Sequence, residues 1–105
     1  MAVSTVTIWQ ASPGRTGDFL ATAAKAKGIH QRLGGTVRLR QITVGGPNSL
    51  HFVYTIEHKD MAAYASFSDK SNADAEWLAL IAGAMTADPS ATLVSQSLTT
   101  DVPGF

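Results

Sequence analysis

Three side chains of this sequence could meet in one site and perform acid–base or binding chemistry. His30 lies at the centre of an apolar helical stripe that also contains Phe19, Ala23 and Leu33. An imidazole with its ordinary pKa near 6.5 can transfer a proton at neutral pH, so His30 is the candidate catalytic residue. Tyr54 and Trp77 are candidate ligand-binding residues, because aromatic rings with one polar tip suit small planar molecules. The alternative is that all three belong to the core, with His30 neutral and hydrogen-bonded.

Other common kinds of site are excluded or only weakly indicated. The sequence has no cysteine, which excludes disulfides, thiol nucleophiles and zinc–thiolate centres. No metal site is expected, because His51 and His58 lie seven residues apart on a strand and so face opposite ways. Arg38 and Arg40 share one strand face, where they could hold an anionic ligand or pair with Asp or Glu side chains.

Charge and hydropathy narrow the choice of partners. Eight basic residues balance eight acidic ones, which argues against nucleic acid or an anionic membrane. An RNA-recognition motif would share the element order, and His51-Phe52-Val53-Tyr54 weakly matches its aromatic strand, but the preceding basic residue and glycine are missing.

No stretch approaches the roughly 18 apolar residues of a membrane span, and the N-terminus does not resemble a signal peptide. The expected location is the cytoplasm.

The 105 residues predict one domain whose elements run strand, helix, strand, strand, helix, strand. Thr16 is the predicted N-cap of the first helix, and Gly34-Gly35 end it. Asp60 is expected to cap the second helical region, which should break and restart at Ser71-Asn72-Ala73-Asp74. A glycine-rich connector makes the second and third strands a hairpin. The predicted strands are 3–10, 36–44, 50–57 and 91–98, and the first helix is 17–33.

These elements predict a ferredoxin-like α+β fold, βαββαβ, with a four-stranded antiparallel sheet. Apolar residues occur at both the even and the odd positions of the strands. In the first strand, for example, Val6 and Ile8 point to one face, and Val3 and Trp9 point to the other. Both faces of the sheet therefore need cover, and a second copy of the sheet would supply it. Charged residues make up only 15% of the chain, which also favours a partner. We expect a homodimer through the sheet face, with Trp9 at the dimer interface or the barrel rim.

The sequence resembles the dimeric α/β-barrel superfamily, in its NIPSNAP-like and antibiotic-monooxygenase-like branches. The resemblance extends over nearly the whole chain and is most evident in four stretches of sequence. They are Ile8-Trp9-Gln10 before Ser12-Pro13-Gly14-Arg15, Lys27-Gly28-Ile29-His30-Gln31-Arg32-Leu33-Gly34, Met61-Ala62-Ala63-Tyr64-Ala65-Ser66-Phe67, and Asp74-Ala75-Glu76-Trp77 leading to Ala87-Asp88-Pro89.

The resemblance implies a homodimer whose two sheets close into a barrel, and it transfers no catalytic motif. Members of the superfamily include cofactor-free monooxygenases, isomerases, cyclases and haem-binding enzymes. The expected function is therefore to bind a small, hydrophobic aromatic or polyketide-like molecule in a helix–sheet cleft. The chemistry would need no cofactor, and His30 would move the proton. The alternatives are a non-enzymatic homodimeric binding or interaction protein and a haem-binding member of the same superfamily.

Overall fold

One four-stranded antiparallel sheet carries all the helices on one of its faces. The computed structural model describes residues 1–105 and confirms the βαββαβ fold. The strands lie in the order β2-β3-β1-β4, and the helices are α1, α2 and α3. Their bounds are β1 Val3–Ala11, α1 Thr16–Arg32, β2 Thr36–Gln41, β3 Phe52–His58, α2 Met61–Ala73, α3 Ala75–Ala84 and β4 Ala91–Thr100.

The ends of the second helical region follow the predicted signals. The Asp60 carboxylate accepts a hydrogen bond from Ala63 N at 2.8 Å and caps α2. The Asp74 carboxylate accepts one from Trp77 N at 2.9 Å and caps α3, so the helix breaks and restarts there. Ser71 takes no part in this cap, because its hydroxyl donates to the carbonyl of Ser68.

Several boundaries differ from the sequence expectation, and β3 begins at Phe52, two residues later than predicted. Thr16 is the first residue of α1 and not its N-cap; Arg15 takes the cap position, and its side chain pairs with Asp18 and Asp88 instead. β2 ends at Gln41 because the chain then turns through a short helical turn at Gly46–Asn48. β4 continues to Thr100, two residues further than predicted.

The register of β1 on β3 decides which residues face the helices. Thr7 pairs with Tyr54 and Trp9 pairs with Phe52, and directly opposed residues of an antiparallel pair share one face. Trp9 therefore packs against Phe19 of α1, with ring centroids 6.3 Å apart. The expectation that Trp9 lies at a dimer interface or barrel rim is wrong, because β1 presents its odd-numbered residues to the helices.

The core between the helices and the sheet is thin. Two small apolar clusters fill it, and only 13 of 105 residues are buried. No helix has the length and apolar character needed to cross a bilayer.

Gly35 lies where the helices and the sheet are in close contact, because a Cβ there would stand 2.5 Å from Ile56 Cγ2 and 3.3 Å from a Phe67 ring carbon.

We expect Gly35→Ala to destabilise the fold by roughly 1–3 kcal/mol, because the added methyl overpacks this contact. Gly28→Ala is the matched control, since nothing lies within 4 Å of a Cβ at that helical position. The control should gain roughly 0.5–1 kcal/mol from helix propensity. Urea unfolding of the three proteins measures both effects, and equal stability of the two variants would contradict the packing argument.

Candidate functional site

The structure brings His30, Tyr54 and Trp77 together beneath the helices. His30 projects from α1 and is 4% exposed. Its Nδ1 lies 2.7 Å from the Tyr54 hydroxyl of β3, and its ring centroid lies 4.3 Å from that of Trp77 in α3. Phe67 of α2 approaches the same imidazole, with centroids 5.5 Å apart. Every helix and the strand β3 thus contribute one ring to this group.

The hydrogen bond to Tyr54 selects the tautomer of His30. If the hydroxyl donates to Nδ1, the proton of His30 lies on Nε2 and only that N–H lacks a partner within the chain. The reverse arrangement would leave both the hydroxyl proton and the Nε2 lone pair unpartnered, which costs more. The preferred tautomer therefore presents an Nε2–H donor.

Burial keeps this pair neutral at physiological pH. Burial, with a smaller contribution from His58, lowers the pKa of His30 to about 4. Burial also raises the pKa of the Tyr54 hydroxyl above its ordinary value. His30 is thus suited to act as a neutral hydrogen-bond donor, rather than as the proton-transfer group that an unperturbed pKa would allow.

His58 is a second buried imidazole that the sequence analysis did not place in this cluster. It is 4% exposed, and its ring lies 4.7 Å from Phe67 and 5.5 Å from Tyr64 by centroids. Its Nε2 is buried without a partner in the chain, and burial lowers its pKa. His58 continues the alternation of Phe52, Tyr54 and Ile56, so reading β3 one residue further would have found it.

An ion pair positions α3 over His30. Asp74 accepts hydrogen bonds from the Trp77 backbone N and from Arg32 at the end of α1, and these bonds lower its pKa. Arg32 also lies 3.5 Å from Glu76. This network fixes the first turn of α3 to α1, and Trp77 in that turn therefore meets His30. No residue of α3 is fully buried, and the helix packs on α1 and α2 rather than on the sheet.

Two shallow surface depressions lie away from His30. One, of about 310 Å³, lies on the face of the sheet opposite the helices and includes Arg38, Arg40 and Glu57. The other is formed by Thr100, Asp101, Val102 and Phe105. No group of three or more His, Cys, Asp or Glu side chains could hold a metal ion. The rings of Phe67 and Trp77 pack against the His30 imidazole.

Comparison with known proteins confirms the resemblance at the level of the fold. No protein-family model and no curated protein matches the sequence. Among solved structures, an uncharacterised NIPSNAP-domain protein from Burkholderia xenovorans is 16% identical with a TM-score of 0.73, covering 100% of this chain and 98% of its own. The protein Atu4242 from Agrobacterium tumefaciens is 12% identical with a TM-score of 0.70, covering 97% and 95%.

A third similar structure belongs to the other branch. It is a protein from Bordetella bronchiseptica, provisionally named an antibiotic biosynthesis monooxygenase, at 19% identity and a TM-score of 0.61, covering 96% of this chain and 97% of its own. At these identities the shared property is the ferredoxin-like fold of the NIPSNAP and antibiotic-monooxygenase type. The residues of the His30 cluster must be judged on their own geometry.

The buried imidazoles predict a loss of stability on acidification. Unfolded His30 binds a proton near its ordinary pKa of 6.5, whereas in the folded chain it stays neutral until about pH 4. The unfolded state binds more protons in this window, so the stabilisation is complete above pH 6.5 and is lost as the pH falls to 4. The contribution of His30 is roughly 3 kcal/mol, and His58 adds to it in the same direction.

Urea unfolding between pH 4 and 7 measures the slope of the free energy of unfolding against pH. We expect His30→Gln to flatten it. An unchanged slope in His30→Gln would contradict the neutral, buried state of this imidazole.

Proposed function

We propose that the protein binds a small aromatic or polyketide-like molecule at the His30–Tyr54 pair. The observation that carries this proposal is that His30 and His58, two histidines of one cluster, have ring nitrogens without a hydrogen-bond partner in the chain. The side chains of His30 and His58 make only one hydrogen bond within the chain, the one between His30 and Tyr54, and His58 Nε2 is buried without a partner. The Nε2 of His30 also has no partner in the chain, but it is not enclosed, so a ligand atom can approach it. A buried polar group without a partner costs roughly 1–3 kcal/mol and calls for an explanation, and we infer a bound partner.

The surroundings of His30 define the class of molecule. The rings of Tyr54, Phe67 and Trp77 offer flat apolar walls, which suit a planar ring system. The Nε2–H of His30 offers a donor to a carbonyl or phenol oxygen. α3 is anchored to α1 at its first turn and has no buried residue, so it is the element that would move to admit the ligand.

The same donor suits cofactor-independent chemistry. A hydrogen bond from a neutral imidazole stabilises negative charge on the oxygen of a ligand that binds as its enolate or phenolate, with its proton already lost to water. Cofactor-independent monooxygenation by dioxygen can start from such an anion, and so can isomerisation or cyclisation that proceeds through an enolate. The provisional name of the Bordetella structure supports the monooxygenase type.

A second candidate is a non-enzymatic homodimeric binding or interaction protein. The closed packing of His30, which is 4% exposed, favours it. Binding of a planar ligand beside His30 distinguishes the first candidate from a protein that only associates with itself.

We expect naphthol to bind more tightly than naphthalene, by about tenfold, because only naphthol accepts a hydrogen bond from His30. Fluorescence of Trp77 in a Trp9→Phe background reports binding, since its ring lies 4.3 Å from His30. His30→Gln and Tyr54→Phe should each reduce the preference. Tyr64→Phe is the matched control, because Tyr64 contacts His58 without a hydrogen bond to His30. Failure of both compounds to bind would support the non-enzymatic candidate.

We also propose that the chain forms a homodimer through the open face of the sheet. A folded monomer of this mass exposes about 5,600 Å², whereas this chain exposes 6637 Å². It is a slab of 41 × 36 × 18 Å with a radius of gyration of 14.3 Å, against about 13 Å for a compact domain of this length. A second copy on the open face would double the thinnest dimension.

Light scattering should give a mass of twice 11.0 kDa for the wild type. Ile8→Lys places a charge on the open face and should yield monomers. Leu20→Lys, on the helical side and 41% exposed, should leave the dimer intact. A wild-type mass of one chain at all concentrations, or an intact dimer in Ile8→Lys, would overturn this arrangement.

A further inference from the structure

Residues 74–88, here called the lid, lie along α1 on the helical side of the fold. They comprise α3 and the irregular residues that follow it. One end of the lid meets Arg32, the last residue of α1, and the other end meets Arg15, which precedes the first. No residue of α3 between these contacts is buried. The lid is thus held to α1 by polar contacts at its two ends, on the side of the sheet that the proposed dimer leaves uncovered.

The end of the lid at Asp88 is held through backbone groups. Arg15 Nη1 donates to the Asp88 carbonyl at 2.6 Å. Directly after the lid, Ser12 Oγ donates to the Pro89 carbonyl at 2.7 Å, and Ser12 N donates to the Ser90 carbonyl at 2.8 Å. The Asp88 carboxylate adds little, because its side chain is 92% exposed. The two bonds from Ser12 join neutral groups, which salt does not screen, so this end stays in place.

The other end of the lid is held to α1 by charged side chains alone. Arg32 binds both carboxylate oxygens of Asp74, at 2.9 and 3.0 Å, and approaches Glu76 at 3.5 Å. The side chains of Arg32 and Glu76 are 49% and 67% exposed. Ion pairs that water reaches contribute little to stability and weaken with salt. This end can therefore open while the Asp88 end remains attached.

The lid and α1 carry opposite charge. The lid has three carboxylates, those of Asp74, Glu76 and Asp88, and no Lys, Arg or His. Residues 15–32 hold four Lys or Arg residues and only one acidic residue, Asp18. The whole chain has eight of each sign, so this separation is local. The resulting attraction closes the lid on α1, and salt screens it.

Asp74 is the point about which α3 can tilt. It is the single residue between α2 and α3, and its backbone is extended rather than helical, with φ −81° and ψ 117°. A change in these two angles alone would tilt α3 against α2. Trp77 lies in the first turn of α3, where its ring covers His30 with centroids 4.3 Å apart. Tilting of α3 therefore uncovers the His30 ring.

We propose that the lid controls access to His30 and that Arg32 keeps it closed. Release of Arg32 from Asp74 and Glu76 frees the first turn of α3, which carries Trp77 away from the imidazole. The ionic strength sets the population of the open form. The purpose of opening rests on the proposed function, because the open lid admits the ligand, but the opening itself is a property of the free protein. Arg32 acts through Trp77 and is thus a positioning residue.

Acrylamide quenching of Trp77 fluorescence in the ligand-free Trp9→Phe protein measures the opening, because Trp77 is then the sole tryptophan. We expect the quenching constant to rise roughly twofold between low salt and about 0.5 M sodium chloride. Arg32→Gln should show the raised value already at low salt and respond little to further salt. Lys25→Gln is the matched control, since it removes the same charge from an exposed position of α1 that forms no ion pair.

Asp74→Asn separates the release of the lid from unfolding of α3. Asparagine caps a helix as well as aspartate does, so the first turn of α3 is retained while the charge that binds Arg32 is lost. This variant should raise the quenching constant as Arg32→Gln does, and its circular dichroism should match that of the Trp9→Phe protein. A quenching constant unchanged in both variants would overturn the proposal, and so would an equal rise in Lys25→Gln.

Stopped-flow fluorescence with naphthol connects the opening to the His30 site. Arg32→Gln and Asp74→Asn should each speed association by about fivefold at low salt, whereas Lys25→Gln should not. Association of naphthol at an unchanged rate in both variants would overturn control of access by the lid. If naphthol does not bind at all while the quenching constant rises as expected, the proposed function fails and the opening of the lid stands.

Discussion

The buried hydrogen bond between His30 and Tyr54 is the interaction on which the arrangement of this protein depends. It joins α1 to the strand β3 in a dry layer, where an imidazole or a phenol alone would be costly. α2 and α3 reach the same point through Phe67 and Trp77. Gly35 allows this convergence, because its missing side chain lets β2 begin directly beneath Phe67 and beside the His30 carbonyl. The hydrogen-bonded pair therefore fixes how the helices pack on the sheet. The low pKa of His30 follows from the same burial.

Much of this arrangement could be predicted because it depends on local signals. The stripe of α1 placed His30 inside, the alternation of β3 placed Tyr54 beside it, and the carboxylates of Asp60 and Asp74 marked both helix starts. The capping carboxylate of Asp74 also accounts for Trp77, since the side chain that meets His30 lies three residues beyond the cap. These relations span a few residues, and their geometry is the same in any fold.

The missed features depend on pairing between distant segments. β1 carries apolar residues at both alternations, so its own sequence cannot tell which side meets the helices. The pairing of Trp9 with Phe52 shows that the odd-numbered residues of β1 face the helices. This pairing joins residues more than forty positions apart in the sequence. His58 was missed for a related reason, because its position on the third strand alone does not show which face of the sheet it occupies. Its place in the core follows from its pairing with Val3, which is itself buried.

The register also explains why a chain with so few charges remains polar on one side. Once the odd-numbered residues of β1 turn toward the helices, the open face retains serines and threonines, which add polarity without charge. The low charge content therefore does not reflect an apolar face awaiting cover. Seven of the thirteen large exposed apolar side chains lie in the last part of the chain, at Leu78, Met85, Leu93, Val94, Leu98, Val102 and Phe105. Leu93 and Leu98 pair with Trp9 and Thr5, so they lie on the helical side of β4. A partner that covers the open face would therefore form a hydrated interface through hydroxyls, with few apolar contacts from β4.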